Sequence, residues 1–320
     1  MEKDKEQMIE KMSIAPMVDR TTYNFRQFIR MLNKKSTLYT EMITAQAIIN
    51  GDSDRLLRVC ENEHKIVLQL AASSLEYAKA ASKIIKNYPY DEININAGCP
   101  SNRVSDNKMG AYLMSDVDTL CDIVKGVQDI CKKPVTVKHR IGIDGTGILP
   151  NDKKIVTYEE LLEFVDRLHE IGVSKNIIHA RIAILKGLSP SENRSIPPID
   201  YEMVYRLKKD RPKYNIEING GIKTLDDVKK HLSIVDSVMI GRRAYDDPML
   251  FNEGYEREQI LEKMILYLEN EKGRIYHFTM HTLGLFYGTK YSKIWKNIAS
   301  NSKVEINDIK EFLNKLKLQK

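Results

Sequence analysis

The sequence predicts a closed (β/α)8 barrel of the TIM type, followed by a C-terminal all-helical domain. Short apolar or β-branched runs alternate eight times with longer segments of helical spacing, within roughly the 250 residues typical of such a barrel. No GxGxxG motif follows the first run, whereas an open dinucleotide-binding sheet would carry one. The chain after about Leu250 has helical spacing and no strand pattern. We therefore divide the sequence into a barrel at 1–250 and a helical domain at 251–320.

The predicted strands are short and lie in regular order along the first part of the chain. They are Met12 to Ala15, Thr37 to Glu41, Ile66 to Leu70, Glu92 to Asn96, Val135 to Arg140, Asn176 to Arg181, Asn215 to Asn219 and Ser237 to Gly241. The predicted helices include Leu75 to Lys86, Asp116 to Cys131, Tyr158 to Ile171, Tyr201 to Lys209, Leu225 to His231, Glu256 to Lys272 and Ile306 to Leu318. Repeated strand, helix and strand units indicate parallel pairing.

The composition is that of a folded protein inside the cell. Of 320 residues, 42% are hydrophobic and 29% charged, which excludes disordered and collagen-like chains. No apolar run approaches the roughly 18 residues of a membrane span, and the charged start is unlike a signal peptide. The four cysteines form no CxxC pair, so neither a disulfide framework nor a zinc site is expected. We expect a cytoplasmic monomer without a metal or a membrane.

The positive charge is concentrated in the C-terminal tail. The formal net charge is +6, and residues 272–320 carry ten Lys or Arg against three acids. The preceding 271 residues are therefore nearly neutral, at about −1. A basic tail on a neutral body favours a polyanionic partner, although lysines retained for solubility are the simpler alternative.

Polar residues end nearly every apolar run, which is where barrel enzymes place their active sites. The strand ends carry Ala15-Pro16-Met17, Glu41, Gln69, Asn96 with Gly98-Cys99-Pro100, Lys138 with Arg140, His179 with Arg181, Asn219-Gly220-Gly221, and Gly241-Arg242. One such residue alone is usually structural, but a whole series at equivalent positions indicates a site. The glycines after strands seven and eight, together with Arg242, favour a phosphate site over a simple tight turn.

Cys99 differs from the other three cysteines because it lies in a loop at the predicted mouth. Cys60, Cys121 and Cys131 fall in helix-like segments, where a packing role is expected. A thiol at the mouth could act as a nucleophile or as a general acid, since its reference pKa near 8.5 leaves it mostly protonated. No protease-like Cys/His/Asn signature accompanies it, which favours the acid.

These residues resemble the tRNA-dihydrouridine synthases, a family of flavoenzymes. The resemblance rests on Ala15-Pro16-Met17, Leu38 to Met42, Asn96-Ala97-Gly98-Cys99-Pro100, Met109-Gly110-Ala111, Val135 to Lys138, Ile178 to Arg181, Gly187-Leu188-Ser189-Pro190 with Glu192-Asn193-Arg194, Ile218 to Ile222 and Val238 to Arg242. The Asn-x-Gly-Cys-Pro element is the most specific. The Gly-Leu-Ser-Pro loop with Ile196-Pro197-Pro198 resembles the A-type subfamily, which reduces D-loop uridines 20 and 20a.

The resemblance implies a TIM barrel that binds FMN, is reduced by NADPH and acts on tRNA. Cys99 matches the cysteine that protonates C5 of the target uracil after a hydride reaches C6. The matching FMN contacts are Ala15, Pro16, Met17, Gln69, Lys138, His179, Asn219, Gly220, Gly221, Gly241 and Arg242. Asn96 and Arg181 resemble residues that hold the uracil edge. Arg140 is a further substrate candidate, or equally a cation paired with a carboxylate.

The basic tail would contact tRNA through a helix around Lys293 and Lys296. Lys272, Arg274, Lys290 and Lys303 belong to the same acid-free stretch, in which the aromatic residues are interpreted as packing residues. Lysines stand where the family tends to carry arginines, and Ile182 stands where a basic residue is common. Two alternatives remain: a flavin barrel acting on a small molecule, of the dihydroorotate or ene-reductase type, and a noncatalytic RNA-binding barrel.

The segment 142–157 is longer than the usual connection between a barrel strand and its helix. Gly145, Gly147 and Pro150 lie within it. It could form a mobile lid over the mouth or an idle surface insertion, and we favour the insertion.

Overall fold

The computed structural model describes residues 2–60, 63–271 and 273–319, in which nine strands form one sheet. The strands are β1 Met12–Ile14, β2 Thr37–Thr44, β3 Ile66–Ala71, β4 Glu92–Ala97, β5 Val135–Asp144, β6 Lys154–Ile155, β7 Asn176–Ile184, β8 Ile216–Asn219 and β9 Ser237–Ile240. All of the predicted strands are present, and all but one begin at the predicted residue.

Eight of these strands close into a parallel barrel. Their order is β4, β3, β2, β1, β9, β8, β7 and β5, and a further parallel pairing of β4 with β5 joins the two ends. The inside of the barrel is filled by an apolar group of Ala15, Tyr39, Val67, Ile177 and Met239. The predicted (β/α)8 barrel is confirmed, and the carboxyl ends of its strands share one face.

The helices surround the barrel and continue beyond it. Around the barrel lie α1 Glu2–Glu10, α2 Tyr23–Leu32, α3 Ala45–Asn50, α4 Ser53–Leu56, α5 Leu75–Ile85, α6 Asn102–Ser105, α7 Val117–Cys131, α8 Tyr158–Glu170, α9 Tyr201–Asp210, α10 Leu225–Leu232 and α11 Arg242–Asp246. Helices α5, α7, α8, α9 and α10 each follow a Ser, Thr or Asp whose side-chain oxygen accepts an N–H of the first turn. None of the helices described has an apolar stretch long enough to span a bilayer.

After β9, every regular element in the described residues is helical. The last four helices are α12 Arg257–Asn270, α13 Ile275–Thr279, α14 Ser292–Ala299 and α15 Ile306–Lys317. Trp295 is fully buried against Phe286 and Phe312, with ring centroids at 5.6 and 5.4 Å, which confirms the packing role predicted for it. The helical region and the barrel share one hydrophobic cluster, and Phe278 packs edge-on against Phe28 of α2. The boundary at residue 250 therefore stays a prediction.

The segment 142–157 is an ordered arm rather than a loop. Strand β5 continues through Asp144 and pairs on one edge with the end of β7 and on the other with β6, which is antiparallel. Gly142 permits this pairing because a Cβ there would lie 2.3 Å from the Ile155 carbonyl oxygen. Ile143 and Leu149 are buried in the arm. The segment therefore contains strand structure that its composition did not indicate, because β5 and β7 extend past the barrel. Whether it acts as a lid or is an idle insertion stays a prediction.

Three buried histidines predict a loss of stability in mild acid. Burial lowers the pKa of His139 and of His281 to about 4, and it holds the pKa of His179 well below its usual value. The unfolded chain titrates near pH 6.5, so it binds protons first and stability falls as the pH drops from about 6.5 to about 4. We expect a loss of roughly 2 kcal/mol at pH 5 for each of His139 and His281.

Urea unfolding at pH 8 and pH 5 measures this effect. The free energy of unfolding should differ less between pH 8 and pH 5 in the variant His139→Gln than in the unaltered protein. An exposed histidine on α8, His169, supplies the control variant His169→Gln. Equal pH dependence in all three proteins would contradict the prediction.

Candidate functional site

The predicted site residues of the barrel gather at the carboxyl ends of its strands. The strand register aligns Asn96 with Lys138, Arg140 with His179, and His179 with Asn219. Ala15 is linked to the end of β9, because its N–H donates to the carbonyl of Ile240 at 2.9 Å. The residues brought together here are Ala15, Pro16, Met17, Gln69, Asn96, Cys99, Lys138, Arg140, His179, Arg181, Asn219, Gly220, Gly221, Gly241 and Arg242. Lys293 and Lys296 lie apart from this set on α14.

The loop that carries Cys99 is held from two sides. Asn96 Oδ1 accepts the backbone N–H groups of Gly98, at 3.2 Å, and Cys99, at 3.0 Å. Arg140 Nε donates to the carbonyl of Gly98 at 3.2 Å, and its Nη1 donates to the carbonyls of Ile182 and Asn193 at 3.2 and 3.0 Å. Among the residues that the structure describes, Arg140 thus contacts three main-chain carbonyls and pairs with no carboxylate, which corrects that alternative.

A chain of side-chain amides extends from this loop into the barrel. Asn96 Nδ2 donates to Gln69 Oε1 at 2.9 Å, and Gln69 Nε2 donates to Asn94 Oδ1 at 2.8 Å. Asn94 Nδ2 then donates to the hydroxyl of Thr136 at 2.9 Å. Because Asn94, Gln69 and Asn96 are all buried, these bonds fix which end of each amide faces the mouth. The sequence did not indicate the roles of Asn94 and Thr136, which precede the strand ends.

The thiol of Cys99 lies between an apolar wall and a group of cations. It packs against the group formed by Ala71, Val104 and Met109. Burial raises the pKa of the thiol, and the positive charges of Arg140, Arg194 and Lys138 oppose that rise. Gly110, at φ +64°, allows the backbone at residue 110 to pack against the Cys99 loop, because a Cβ there would lie 2.5 Å from the Cys99 carbonyl oxygen. The thiol is therefore protonated at neutral pH and available as an acid.

Lys138 projects into the mouth beside the end of β8. Its ammonium donates to Asn219 Oδ1 at 3.2 Å, while Asn219 Nδ2 donates to the carbonyl of Met239 at 2.8 Å. Burial, followed by repulsion from Arg140, lowers the pKa of Lys138 to about 7. His179 is neutral, since burial and the neighbouring cations lower its pKa. An anionic group at this place would restore the full charge of the lysine.

The turn after β8 packs too closely against its neighbours to carry side chains. Gly220 and Gly221 have φ values of +115° and +71°. A Cβ on Gly220 would lie 2.6 Å from His179 Cδ2, and one on Gly221 would lie 2.4 Å from Ile199 Cδ1. Tyr201 fixes the turn by donating from its hydroxyl to the carbonyl of Gly220 at 2.6 Å. Both positions therefore require glycine, for the positive φ and for the lack of room.

The glycine turn yields a prediction with a matched control. Gly220→Ala should lower the free energy of unfolding by about 1–3 kcal/mol, because a positive φ and the contact with His179 act together. At Gly187, with φ +93°, a Cβ would have no other atom within 4 Å. Gly187→Ala therefore measures the loss of stability caused by the positive φ alone. Urea unfolding of both variants measures the difference, and equal losses would show that the His179 contact is unimportant.

Arginine side chains complete the rim of the mouth. Arg242 Nη2 donates to the carbonyl of Arg194 at 3.4 Å, and Arg181 Nη1 donates to the carbonyl of Pro197. Burial together with the charge of Arg242 lowers the pKa values of Arg181 and Arg194. Arg20 adds to the repulsion at Arg194. Arg20 and Arg194 were not selected as site residues, although Arg194 belongs to a motif noted in the sequence.

The two tail lysines that were predicted to contact tRNA lie on the surface of the helical region. Lys293 and Lys296 are exposed on α14, on either side of the buried Trp295. Lys272 lies outside the described residues. Among the described residues there is no group of three or more His, Cys, Asp or Glu that could hold a metal ion.

Comparisons with known proteins assign the chain to a family. A family model described as dihydrouridine synthase (Dus) matches residues 13–319. This chain belongs to that family. It is 43% identical over 308 residues to the tRNA-dihydrouridine(20/20a) synthase of Synechocystis sp., covering 92% of this chain and 90% of that one. It is 41% identical over 302 residues to the enzyme of the same name from Pseudomonas syringae pv. tomato, covering 90% and 87%.

Solved structures support the dihydrouridine synthase fold at the level of architecture. Morphinone reductase aligns with a TM-score of 0.53 at 12% sequence identity, covering 75% of this chain and 84% of that one. The old yellow enzyme from Trypanosoma cruzi aligns with a TM-score of 0.50 at 12% identity, covering 74% and 86%. At such low identity these likenesses concern the barrel alone.

Proposed function

We propose that this dihydrouridine synthase reduces uridines 20 and 20a in the D-loop of tRNA, using FMN and NADPH. Its membership of the family and the names of its relatives support the reaction and the substrate. The single observation that carries the proposal is the placement of Cys99. Asn96 and Arg140 fix the loop that carries its protonated thiol, at the same mouth that holds Lys138 and the glycine turn.

The residues at the mouth fit a flavin phosphate cofactor. Lys138 and Arg242 supply positive charge at the ends of β5 and β9, and Asn219 holds the Lys138 ammonium in the mouth. We assign Ala15, Pro16, Met17, Gln69, His179, Asn219 and Gly241 to the same site. Bound FMN would accept a hydride from NADPH and deliver it to C6 of the uracil. Lys138 would neutralise negative charge on the cofactor, in a setting where a charge acts more strongly than in water.

Cys99 would complete the reduction by giving the proton that C5 needs. The S–H bond breaks, a C–H bond forms at C5, and the thiolate left behind recovers a proton from solvent. Two features of the chain suit this step: burial keeps the sulfur protonated, and the Asn96 and Arg140 contacts fix the loop that carries it.

The uracil would be held at the edge of the same mouth. Asn96 keeps one N–H of its amide beyond the bond to Gln69, and Arg181 Nε is buried with no hydrogen-bond partner in the described part of the chain. Both can meet a uracil carbonyl. The Nε and Nη1 of Arg140 are engaged, so any contact of Arg140 with the base would use Nη2. A base in a tRNA loop must leave its stack to enter, at a cost of a few kcal/mol.

Phosphate contacts would offset that cost, and we assign them to the helical region 251–320. The double variant Lys293→Ser/Lys296→Ser should weaken tRNA binding and reduce the slope of log K against log salt by about 1.5, since each phosphate contact contributes about 0.7 to 0.9. The variant Lys229→Ser/Lys230→Ser removes two exposed lysines of α10 and serves as the control. An unchanged slope in the first variant would remove α14 from the interface.

The proposed function is tested by mapping dihydrouridine in tRNA. Cells that lack this protein should lose the modification at positions 20 and 20a, and the purified protein with FMN and NADPH should restore it. A colourless protein that cannot take up FMN would exclude the oxidoreductase. Turnover of small enones or dihydroorotate, with tRNA left unmodified, would instead support the small-molecule alternative.

A further inference from the structure

A buried histidine joins the helical region to two loops of the barrel mouth. His281 lies between α13 and α14 and is 5% exposed. Its Nε2 is 2.9 Å from the hydroxyl of Thr22, and its Nδ1 is 3.1 Å from the hydroxyl of Tyr245. A neutral imidazole has one donor and one acceptor, and each hydroxyl can take either role, so the uncharged ring satisfies both contacts.

Both hydroxyls belong to segments that continue directly from the proposed cofactor loops. Thr22 caps α2 and follows Thr21, whose hydroxyl accepts the N–H of Met17 at 2.9 Å. Tyr245 lies on α11, the short helix that begins at Arg242. The segment that follows His281 packs closely against α11, because a Cβ on Gly284 would lie 2.7 Å from the carbonyl oxygen of Tyr245.

The other side of the histidine leads to the proposed tRNA helix. The carbonyl of Thr282, the next residue, accepts the indole N–H of Trp295 at 2.8 Å. Trp295 is the fully buried residue of α14 between Lys293 and Lys296. One short series of hydrogen bonds therefore runs from the loops after β1 and β9, through His281 and Thr282, to the helix that carries these lysines.

We propose that His281 is a positioning residue through which the bound cofactor and the tRNA strengthen each other's binding. This inference rests on the proposed function. A cofactor that orders the loops after β1 and β9 fixes the positions of the Thr22 and Tyr245 hydroxyls. Those hydroxyls set the position of His281 and, through Thr282, that of α14. By linkage, the factor by which FMN tightens tRNA binding equals the factor by which tRNA tightens FMN binding.

The test measures both affinities in the full-length protein. The dissociation constant of tRNA is determined for the protein stripped of FMN and again after FMN is restored, and that of FMN is determined with and without tRNA. We expect each ligand to tighten the other about fivefold or more, the lower end of typical coupling. Equal tRNA affinity with and without FMN would overturn the inference, whereas a protein that binds neither ligand would overturn the proposed function instead.

Variants then assign the coupling to the histidine. His281→Phe keeps the ring volume and loses both hydrogen bonds, so the coupling factor should fall towards one. Tyr245→Phe removes one of the two hydrogen bonds of His281, so its coupling factor should lie between those of the unaltered protein and His281→Phe. It also serves as the test if His281→Phe does not fold. The control is His169→Phe, at an exposed ring that stacks on Tyr214 on the outside of the barrel. A folded His281→Phe or Tyr245→Phe protein with the full coupling factor would refute the role of the histidine.

Discussion

Replacing Cys99 with alanine is expected to lower the rate of dihydrouridine formation by about 100-fold or more, with FMN binding unchanged. General acids contribute roughly 10²–10⁴ to rates, and Cys99 lies in the loop that Asn96 and Arg140 fix. NADPH oxidation should continue, because it does not need the proton for C5. Dihydrouridine is measured by mass spectrometry of tRNA, and NADPH by its absorbance.

Matched cysteine variants separate the acid from general damage. Cys121→Ala removes a buried thiol in α7, away from the mouth, and should keep full activity after correction for stability. Cys99→Ser should be nearly as slow as Cys99→Ala, because a hydroxyl is a much weaker acid than a thiol. Normal product yield from Cys99→Ala would show that the proton comes from elsewhere.

The second large effect is expected from Lys138→Met, which should weaken FMN binding and lower kcat by about 100-fold. Losing one charge-stabilising group in a protected site typically costs about 10²–10³ in kcat. The pKa of Lys138 is lowered to about 7, chiefly by burial and then by Arg140, while Glu217 and Cys99 oppose the change. Its charge is therefore present below about pH 7 and is lost as the pH rises above that value.

This titration gives the prediction a second readout. FMN uptake by the stripped protein, followed by flavin fluorescence, should weaken as the pH rises from about 6 to about 8, whereas uptake by Lys138→Met should be weak throughout. Lys138→Arg keeps the charge at every pH, so its FMN uptake should stay strong at pH 8. A Lys138→Met protein with the same affinity and pH dependence as the unaltered one would exclude the lysine from the cofactor site.

The location of Cys99 could be predicted from the local sequence alone. Its position between Gly98 and Pro100, directly after a β-branched run, places it at a strand end, and the closed parallel barrel is enough to bring that strand end to the mouth. The same logic placed Lys138, His179 and Gly220. The sequence did not show which groups these residues would contact. Asn96 and Arg140 were expected to meet the substrate, yet most of their hydrogen bonds go to the Cys99 loop and to carbonyls 42 and 53 residues away.

The sequence by itself determined the eight strands of the barrel, the first residues of seven of them, the residues at the strand ends and the family. Those features follow from patterns within a few residues of each other. In any parallel barrel the carboxyl ends of the strands meet at one face, so residues at the strand ends come together. Only the tertiary structure decided the arm built from 142–157, the amide chain from Thr136 to Cys99 and the contact of His281 with Thr22. These depend on side chains that are distant along the chain, separated by 259 residues in the last case, and no local pattern records which of them meet.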